Sequence, residues 1–334
     1  MEELNKSNYD DSAYQDIESF EDLKIDSNII RGIFSYGFEN PSPIQKKAIT
    51  PLLDGKDVIA QAQSGTGKTA TFCLGILGII KEKENKTQAL VLAHTRELAL
   101  QINMVFRQIA NYMDIIFNLS IGGISIKENI DSLCKKERKP HVVIGTPGRV
   151  LDMINKNALN TNSLKILVID EADEMLSDGF IDQIYSIFRT MPSNIQVGLF
   201  TATMTNNFFE IANKFMRDPI KILVKNEQLT LEGIQQYLID VESNDYKFET
   251  LCDLYSLLTI NQSIIYCNNK KVVNSLTEKM KEANFSISFI HSDITNQERE
   301  ETMAAFRNGK TRVLISTDLL SRGIDVQQIS IVIN

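Results

Sequence analysis

Lys68 and Thr69 close the run Ala62-Gln63-Ser64-Gly65-Thr66-Gly67-Lys68-Thr69, whose residue types suit a polyphosphate. Gly65 and Gly67 let several backbone N–H groups converge on phosphate oxygens. The helix predicted by the following KTATFCLGILGII turns its positive end to the same anion. Lys68 is placed to reach the β and γ phosphates, and the Thr69 hydroxyl to ligate Mg2+. A glycine-rich turn that merely joins a strand to a helix is the plain alternative. A second cluster weighs against it: Asp170, Glu171 and Asp173 follow an apolar run in ILVIDEAD, about a hundred residues on. An aspartate at the end of a buried strand can hold Mg2+ through water, and the carboxylate beside it can position or deprotonate an attacking water. Alone, that cluster is equally an acidic helix start. Together the two runs predict a nucleoside triphosphate and its divalent ion settled between Lys68 and Asp170.

Both runs need strands to hold them. DVIAQ (57–61), ALVLA (89–93), NLSIG (118–122), HVVIGT (141–146), LKILVID (164–170) and IQVGLFTAT (195–203) are short, β-rich and apolar, with helical patterns such as RELALQINMVFRQIANYM (96–113) between them. Strands that are continuously apolar are buried on both faces, as in a parallel sheet covered by helices. The predicted class is doubly wound α/β. The rhythm lapses at VKNEQLTLEGIQQ (224–236) and resumes with QYLIDV, SIIYC, ISFIH, RVLIST and ISIVIN, which reads as a linker and a second α/β lobe. The expected division is a disordered tail over 1–18, a first lobe over 19–225, a linker over 226–236 and a second lobe over 237–334.

The spelling DEAD at 170–173, with AQSGTGKT at 62–69, resembles the DEAD-box ATP-dependent RNA helicase family, in which alanine regularly stands first in the phosphate loop. The likeness runs over 19–334 and implies two RecA-like lobes of the P-loop NTPase type. It implies ATP and Mg2+ as cofactors, RNA as partner and RNA-dependent ATP hydrolysis as the activity, with the whole loop from Ala62 through Gln63, Ser64 and Thr66 holding nucleotide. YGFENPSPIQ (36–45) resembles the adenine-recognising part of the family's Q motif (18–46), with Phe20 as its distant aromatic. By that likeness Phe38 stacks on adenine and Gln45 reads its edge through its amide.

HTRELA (94–99), Gly122-Gly123 and TPGR (146–149) resemble RNA-contacting motifs, which implies RNA roles for Thr95, Arg96, Gly122, Gly123, Thr146, Pro147 and Arg149. Arg96 and Arg149, at helix starts beside open amides, suit phosphate oxygens of a single strand. Contacts to backbone and 2′-hydroxyls carry little sequence preference. His94 stands where the family has proline and reads as a structural histidine. TAT (201–203) matches the family's SAT, so Thr201 and Thr203 are expected to hydrogen-bond the Asp173 region. In the second lobe, the motifs around IIYCN (264–268), HSDITNQER (291–299) and STDLLSRGID (316–325) give Asn268, Thr317 and Asp318 to RNA and Gly323 and Asp325 to nucleotide. Arg322 couples the two. Ser292 replaces a glycine. The family continues past VIN into an HRxGRxGR motif. A second lobe ending at Asn334 is expected to be incomplete and to leave ATP bound but slowly hydrolysed, which keeps an ATP-gated RNA clamp as the rival reading.

Of 334 residues, 43% are hydrophobic, enough for two cores. The net charge of −8 argues against a nucleic-acid partner taken alone. Residues 1–18 hold six acids and one base, which leaves −3 for the body. KKERK (135–139) reads as solvated surface, with an RNA patch or nuclear signal as the alternative. Cys73, Cys134, Cys252 and Cys267 lack metal spacing and read as reduced, mostly buried thiols. No apolar run reaches the ~18–20 residues of a membrane span, and the acidic start lacks a secretion signal. A cytoplasmic monomer is expected, with a nuclear site also open. KFMRDPIKILVK and TDLLSRGIDVQQ are most similar to the family's translation-initiation members, which brings in initiation scaffold proteins as partners. A P-loop small-molecule kinase is a further rival, and it predicts one lobe without a second set of strands.

Overall fold

Short apolar runs that end in turns become parallel strands, gathered in two separate sheets. The computed structural model describes residues 14–63, 65–177, 179–204, 206–223, 234–320, 326 and 328–334. The chain divides into two units, Met1–Thr230 and Leu231–Asn334.

The first unit holds β1 (Val58–Gln61), β2 (Ala89–Leu92), β3 (Phe117–Ser120), β4 (Val142–Gly145), β5 (Ile166–Ile169), β6 (Gln196–Thr201) and β7 (Ile220–Leu223). They form one parallel sheet in the order β3-β4-β2-β5-β6-β1-β7. Successive strand residues point to opposite faces, and every residue of β2, β4 and β5 is buried. Val91, Ile144 and Val168 therefore pack with α1 (Ser27–Tyr36), α2 (Pro43–Leu53), α3 (Lys68–Ile79) and α4 (Arg96–Ile109) on one face. Leu90, Val143 and Leu167 pack on the other with α5 (Ile126–Leu133), α6 (Pro147–Asn155), α7 (Ala172–Met175), α8 (Ile181–Phe188) and α9 (Asn206–Ala212).

The second unit repeats the plan with β8 (Gln262–Tyr266), β9 (Ile287–Ile290), β10 (Val313–Ser316) and β11 (Ile329–Ile333), all parallel in the order β11-β8-β10-β9. α10 (Lys247–Leu257) and α11 (Lys270–Glu282) cover one face, and α12 (Asn296–Arg307) the other. This second parallel sheet is what a single-lobed kinase does not have.

Several expectations need correction. QYLIDV (236–241) forms no strand: Tyr237 is 81% and Leu238 95% exposed. An alternating apolar pattern makes a strand only where a neighbour takes its backbone N–H and C=O groups, and no neighbour pairs with this segment among the described residues. β7 went unforeseen because it is a half-buried edge strand after Pro219, with no motif to mark it. The packed body starts before residue 19, since Ile17 is buried in the core, its N–H donates to the Lys46 carbonyl, and Glu18 pairs with Lys46 at 2.7 Å. Of the four free cysteines only Cys73 is buried, and Cys134 is exposed. The tail over 1–13 and the linker over 226–233 lie outside the described residues, as do Ser64, Arg322, Gly323 and Asp325. Among the described residues no helix is long and apolar enough to cross a membrane.

Candidate functional site

The strand order of the first sheet sorts the motifs into two neighbouring groups. β1, β6 and β5 are adjacent, and their carboxyl ends lead into the phosphate loop, the TAT turn and the DEAD run. β2, β4 and β3 follow, and theirs lead into HTRELA, TPGR and Gly122-Gly123. The seam between the groups is the β2–β5 pair. In a parallel sheet the carboxyl edge is where loops gather to bind, and here it places all six loops in one row.

Gly67 caps α3 in the left-handed region at φ 95°, and Gly65 is also left-handed at φ 79°. A side chain at Gly67 would put its Cβ 2.6 Å from Gln45 Nε2, so the turn requires glycine for shape and for space. Lys68, the first residue of α3, is buried, and its Nζ donates to the Ala62 carbonyl at 2.6 Å. The Thr66 hydroxyl donates to the Gln63 carbonyl at 2.6 Å, which tightens the loop. Thr69 is half-buried beside them.

Asp170 follows β5, is 3% exposed, and accepts the Glu171 N–H at 2.9 Å. Burial pushes its carboxyl up to about 6; the nearby Lys68 cation and the Glu171 N–H pull it down, while Asp173 pushes it up. The phosphate-loop lysine and the DEAD aspartate are thus electrostatic neighbours, although about a hundred residues separate them. Glu171 caps α7 with a left-handed backbone (φ 48°, ψ 51°), a conformation that costs a non-glycine residue energy and is found at functional turns. Asp173 accepts from the Thr203 hydroxyl at 2.5 Å. Thr201 is fully buried and donates to the Thr203 carbonyl at 2.7 Å, so it acts on Asp173 through Thr203 and not directly. The Thr201 carbonyl accepts the Ala62 N–H, which ties this turn to the phosphate loop.

Gln45 is 2% exposed. Its Oε1 accepts the Ser42 N–H at 2.7 Å and its Nε2 faces the Gly67 carbonyl at 3.4 Å, so its amide bridges the start of α2 and the phosphate loop. Phe38 packs against Tyr36 and Phe20, with ring centroids at 4.6 and 6.3 Å.

On the other half of the edge, the Thr95 hydroxyl caps α4 by accepting the Leu98 N–H, and Arg96 opens that helix. Thr146 and Pro147 start α6, and the Thr146 N–H donates to the Ser120 carbonyl. Arg149 donates to the Ile124 carbonyl at 2.8 Å and to Asn129 Oδ1 at 3.2 Å. Asn129, 2% exposed, also donates to the Leu119 carbonyl. It joins Arg149 of TPGR to the end of β3, the strand that leads into Gly122-Gly123, and no motif pointed to it. His94 had no functional reading either, yet its Nδ1 lies 3.2 Å from Glu171 Oε2.

In the second unit Asn268 is exposed after β8, and Thr317 and Asp318 follow β10, the neighbouring strand. Ser292 donates to Asp293, which pairs with Lys270 at 2.6 Å; those two contacts hold the Asp293 carboxyl below its usual range. Residues 135–138 are exposed, which both the solvated-surface and the RNA-patch readings of the run require.

Residues 42–211 match the DEAD/DEAH box helicase family, and residues 246–334 match the helicase conserved C-terminal domain. The chain is 52% identical over 331 residues to eukaryotic initiation factor 4A of Caenorhabditis elegans, covering 99% of this chain and 81% of that one. It is 51% identical to the ATP-dependent RNA helicase eIF4A of Debaryomyces hansenii, covering 99% and 82%. Among solved structures, S. cerevisiae Dbp5 bound to RNA and ADP BeF3 superposes with a TM-score of 0.87 at 34% identity, over 95% of this chain and 80% of that one. A DEAD box protein from the hyperthermophile Methanococcus jannaschii gives a TM-score of 0.60 at 32% identity, over 95% and 85%.

Proposed function

The chain belongs to the DEAD/DEAH box helicase family, and on that premise we propose that it works as an ATP-dependent RNA helicase in translation initiation. The observation that carries this reading is the strand order β5-β6-β1, which brings the loop of Lys68 and the end of the strand before Asp170 to one stretch of the sheet edge, close enough for the Lys68 cation to act on the Asp170 carboxyl. Phe38 and Gln45 take the adenine, and because Gln45 also contacts Gly67, filling the adenine position bears on the phosphate loop. The loop amides and Lys68 receive the phosphates; Lys68 leaves the Ala62 carbonyl to do so.

Thr69 and Asp170 are hard oxygen donors, and the burial of the Asp170 carboxylate outweighs the help of the nearby Lys68 cation, so the pair fits Mg2+. When bound, Mg2+ supplies charge neutralisation at the phosphate oxygens. Glu171 takes a proton from the water that attacks the γ phosphorus, while the bond from that phosphorus to the bridging oxygen breaks and ADP departs. Asp173 and Thr203 pass the change to the turn after β6. Single-stranded RNA lies along Thr95, Arg96, Gly122, Gly123, Thr146, Pro147 and Arg149, and in the second unit along Asn268, Thr317 and Asp318, read by backbone and 2′-hydroxyl. The same reading makes the protein a cytoplasmic monomer that meets initiation scaffold proteins.

Two variants test it by equilibrium ATP binding and RNA-stimulated phosphate release. Lys68→Ala abolishes ATP binding. Glu171→Gln binds ATP as the parent does and releases no phosphate; continued hydrolysis in that variant overturns the assignment of Glu171.

A further inference from the structure

His94 and Glu171 meet at the seam of the sheet. β2 and β5 pair in parallel with Leu92 opposite Ile169, so the residues two steps beyond each strand, His94 and Glu171, come out side by side. Their side chains are 9% and 18% exposed, and Nδ1 stands 3.2 Å from Oε2. The two buried atoms stand at contact distance without the alignment of a hydrogen bond; an ionised carboxylate only accepts, so a small turn of the imidazole with its hydrogen on Nδ1 completes one. The other two histidines are placed differently. His141 sits between the Ile116 N–H and the Glu82 carbonyl, and His291 between Asn274 and the Asp293 N–H. His94 is also the residue that departs from the family pattern, and a proline there has no side-chain donor to offer.

We propose that His94 is a positioning residue for the water-activating carboxylate, reaching from the RNA-side loop after β2 to fix one oxygen of Glu171 and leave the other for the attacking water. The inference rests on the reading of Glu171 given above. The left-handed backbone of Glu171 sets where its side chain starts, and His94 sets where it ends. Because Thr95 and Arg96 follow His94 directly, RNA held on that loop also steadies the ring that holds Glu171. His94 thus joins the RNA half of the sheet edge to the nucleotide half at one contact.

The test uses the full chain with His94→Leu, which removes the donor, and His94→Asn, whose Nδ2 occupies nearly the place of Nδ1. With three histidines in the chain, labelling histidine nitrogen gives three ring systems to assign by NMR. The expected spectrum has His94 protonated on Nδ1 and shifted by Glu171→Gln. In RNA-stimulated turnover, His94→Leu lowers kcat about five- to tenfold, the size of a lost hydrogen bond to a charged group only partly felt in the transition state. KM for ATP and RNA affinity stay within about twofold, and His94→Asn recovers most of kcat. Parent-like kcat in His94→Leu, an Asn variant no better than Leu, or a His94 ring unprotonated at Nδ1 overturns the proposal. Should the Leu variant fail to fold, the Asn variant and the spectrum decide. Turnover surviving in Glu171→Gln instead overturns the reading of Glu171 itself, which keeps the two failures apart.

Discussion

Asp170 is a carboxylate buried at a cost. Its side chain is 3% exposed, and burial moves its carboxyl from 3.8 to about 6 despite the help of Lys68. A folded-state value above the unfolded one means that the folded protein binds the proton more tightly. The metal-free fold is therefore favoured at low pH and loses stability as pH rises from about 4 through about 6. The interval between those values is worth on the order of 3 kcal/mol. Asp170→Asn keeps the size and removes the charge. It is expected to raise the melting temperature of the nucleotide-free protein at pH 8, with the gain vanishing near pH 4. Melting scans across that range check it, and equal melting at pH 8 would mean that Asp170 is not desolvated. His141 works in the opposite sense. Burial lowers its imidazole below the usual value of 6.5, so the stability that is fully present above 6.5 is lost as pH falls below it toward the depressed folded-state value. The Asn substitution isolates Asp170 because His141 is common to both proteins.

Strands and turns decide which of these residues can cooperate. The phosphate loop was legible in sequence because its shape demands residue types: Gly67 at φ 95°, with a Cβ that would meet Gln45 Nε2 at 2.6 Å. Gly67→Ala is expected to lose about 1–2 kcal/mol from the left-handed backbone alone and to weaken ATP binding as Gln45 is displaced, measured by denaturant unfolding and nucleotide titration. Asp170 and Glu171 were legible because chemistry gathers at strand ends. The neighbourhood of His94 and Glu171 was not, because it follows from β2 lying beside β5, and strand order is not written in periodicity or composition. Asn129 escaped for a similar reason: it is one polar residue on a short helix, and only the fold brings it under Arg149. QYLIDV shows the converse, an apolar alternation that meets no partner strand among the described residues. The role of Asn129 leads to a sharp expectation. Asn129→Ala frees the Arg149 side chain, costs RNA affinity about tenfold through lost preorganisation, and leaves ATP affinity unchanged, as separate RNA and nucleotide titrations can establish.

At the scale of the whole molecule, a net charge of −8 sets how RNA can be held. The net charge gives no overall attraction to RNA, and its repulsion extends only about 8 Å at physiological salt. On the proposed RNA path, binding is expected to come from local contacts: two arginines in the first unit, Arg96 and Arg149, at helix starts with amides and hydroxyls beside them. On a single strand each neutralised phosphate contributes about 0.7 to the slope of log affinity against log salt, so the slope here is expected to fall between about −1 and −3. Screening of the protein's own negative charge flattens it further at the low-salt end. The competing surface is the basic run of exposed Lys135, Lys136 and Arg138 with half-buried Lys139, whose backbone is pinned by Asn85 and where Arg138 already pairs with Asp114. Were that run the RNA surface, the slope would steepen, and Lys135→Glu with Lys136→Glu would weaken binding at low salt. The strand-edge arrangement expects neither: the double substitution leaves RNA affinity within about twofold, and a DNA strand of the same sequence binds more weakly because it lacks the 2′-hydroxyls. Salt titrations of both proteins on RNA and on DNA separate a site built from shape and backbone contacts from one built from charge.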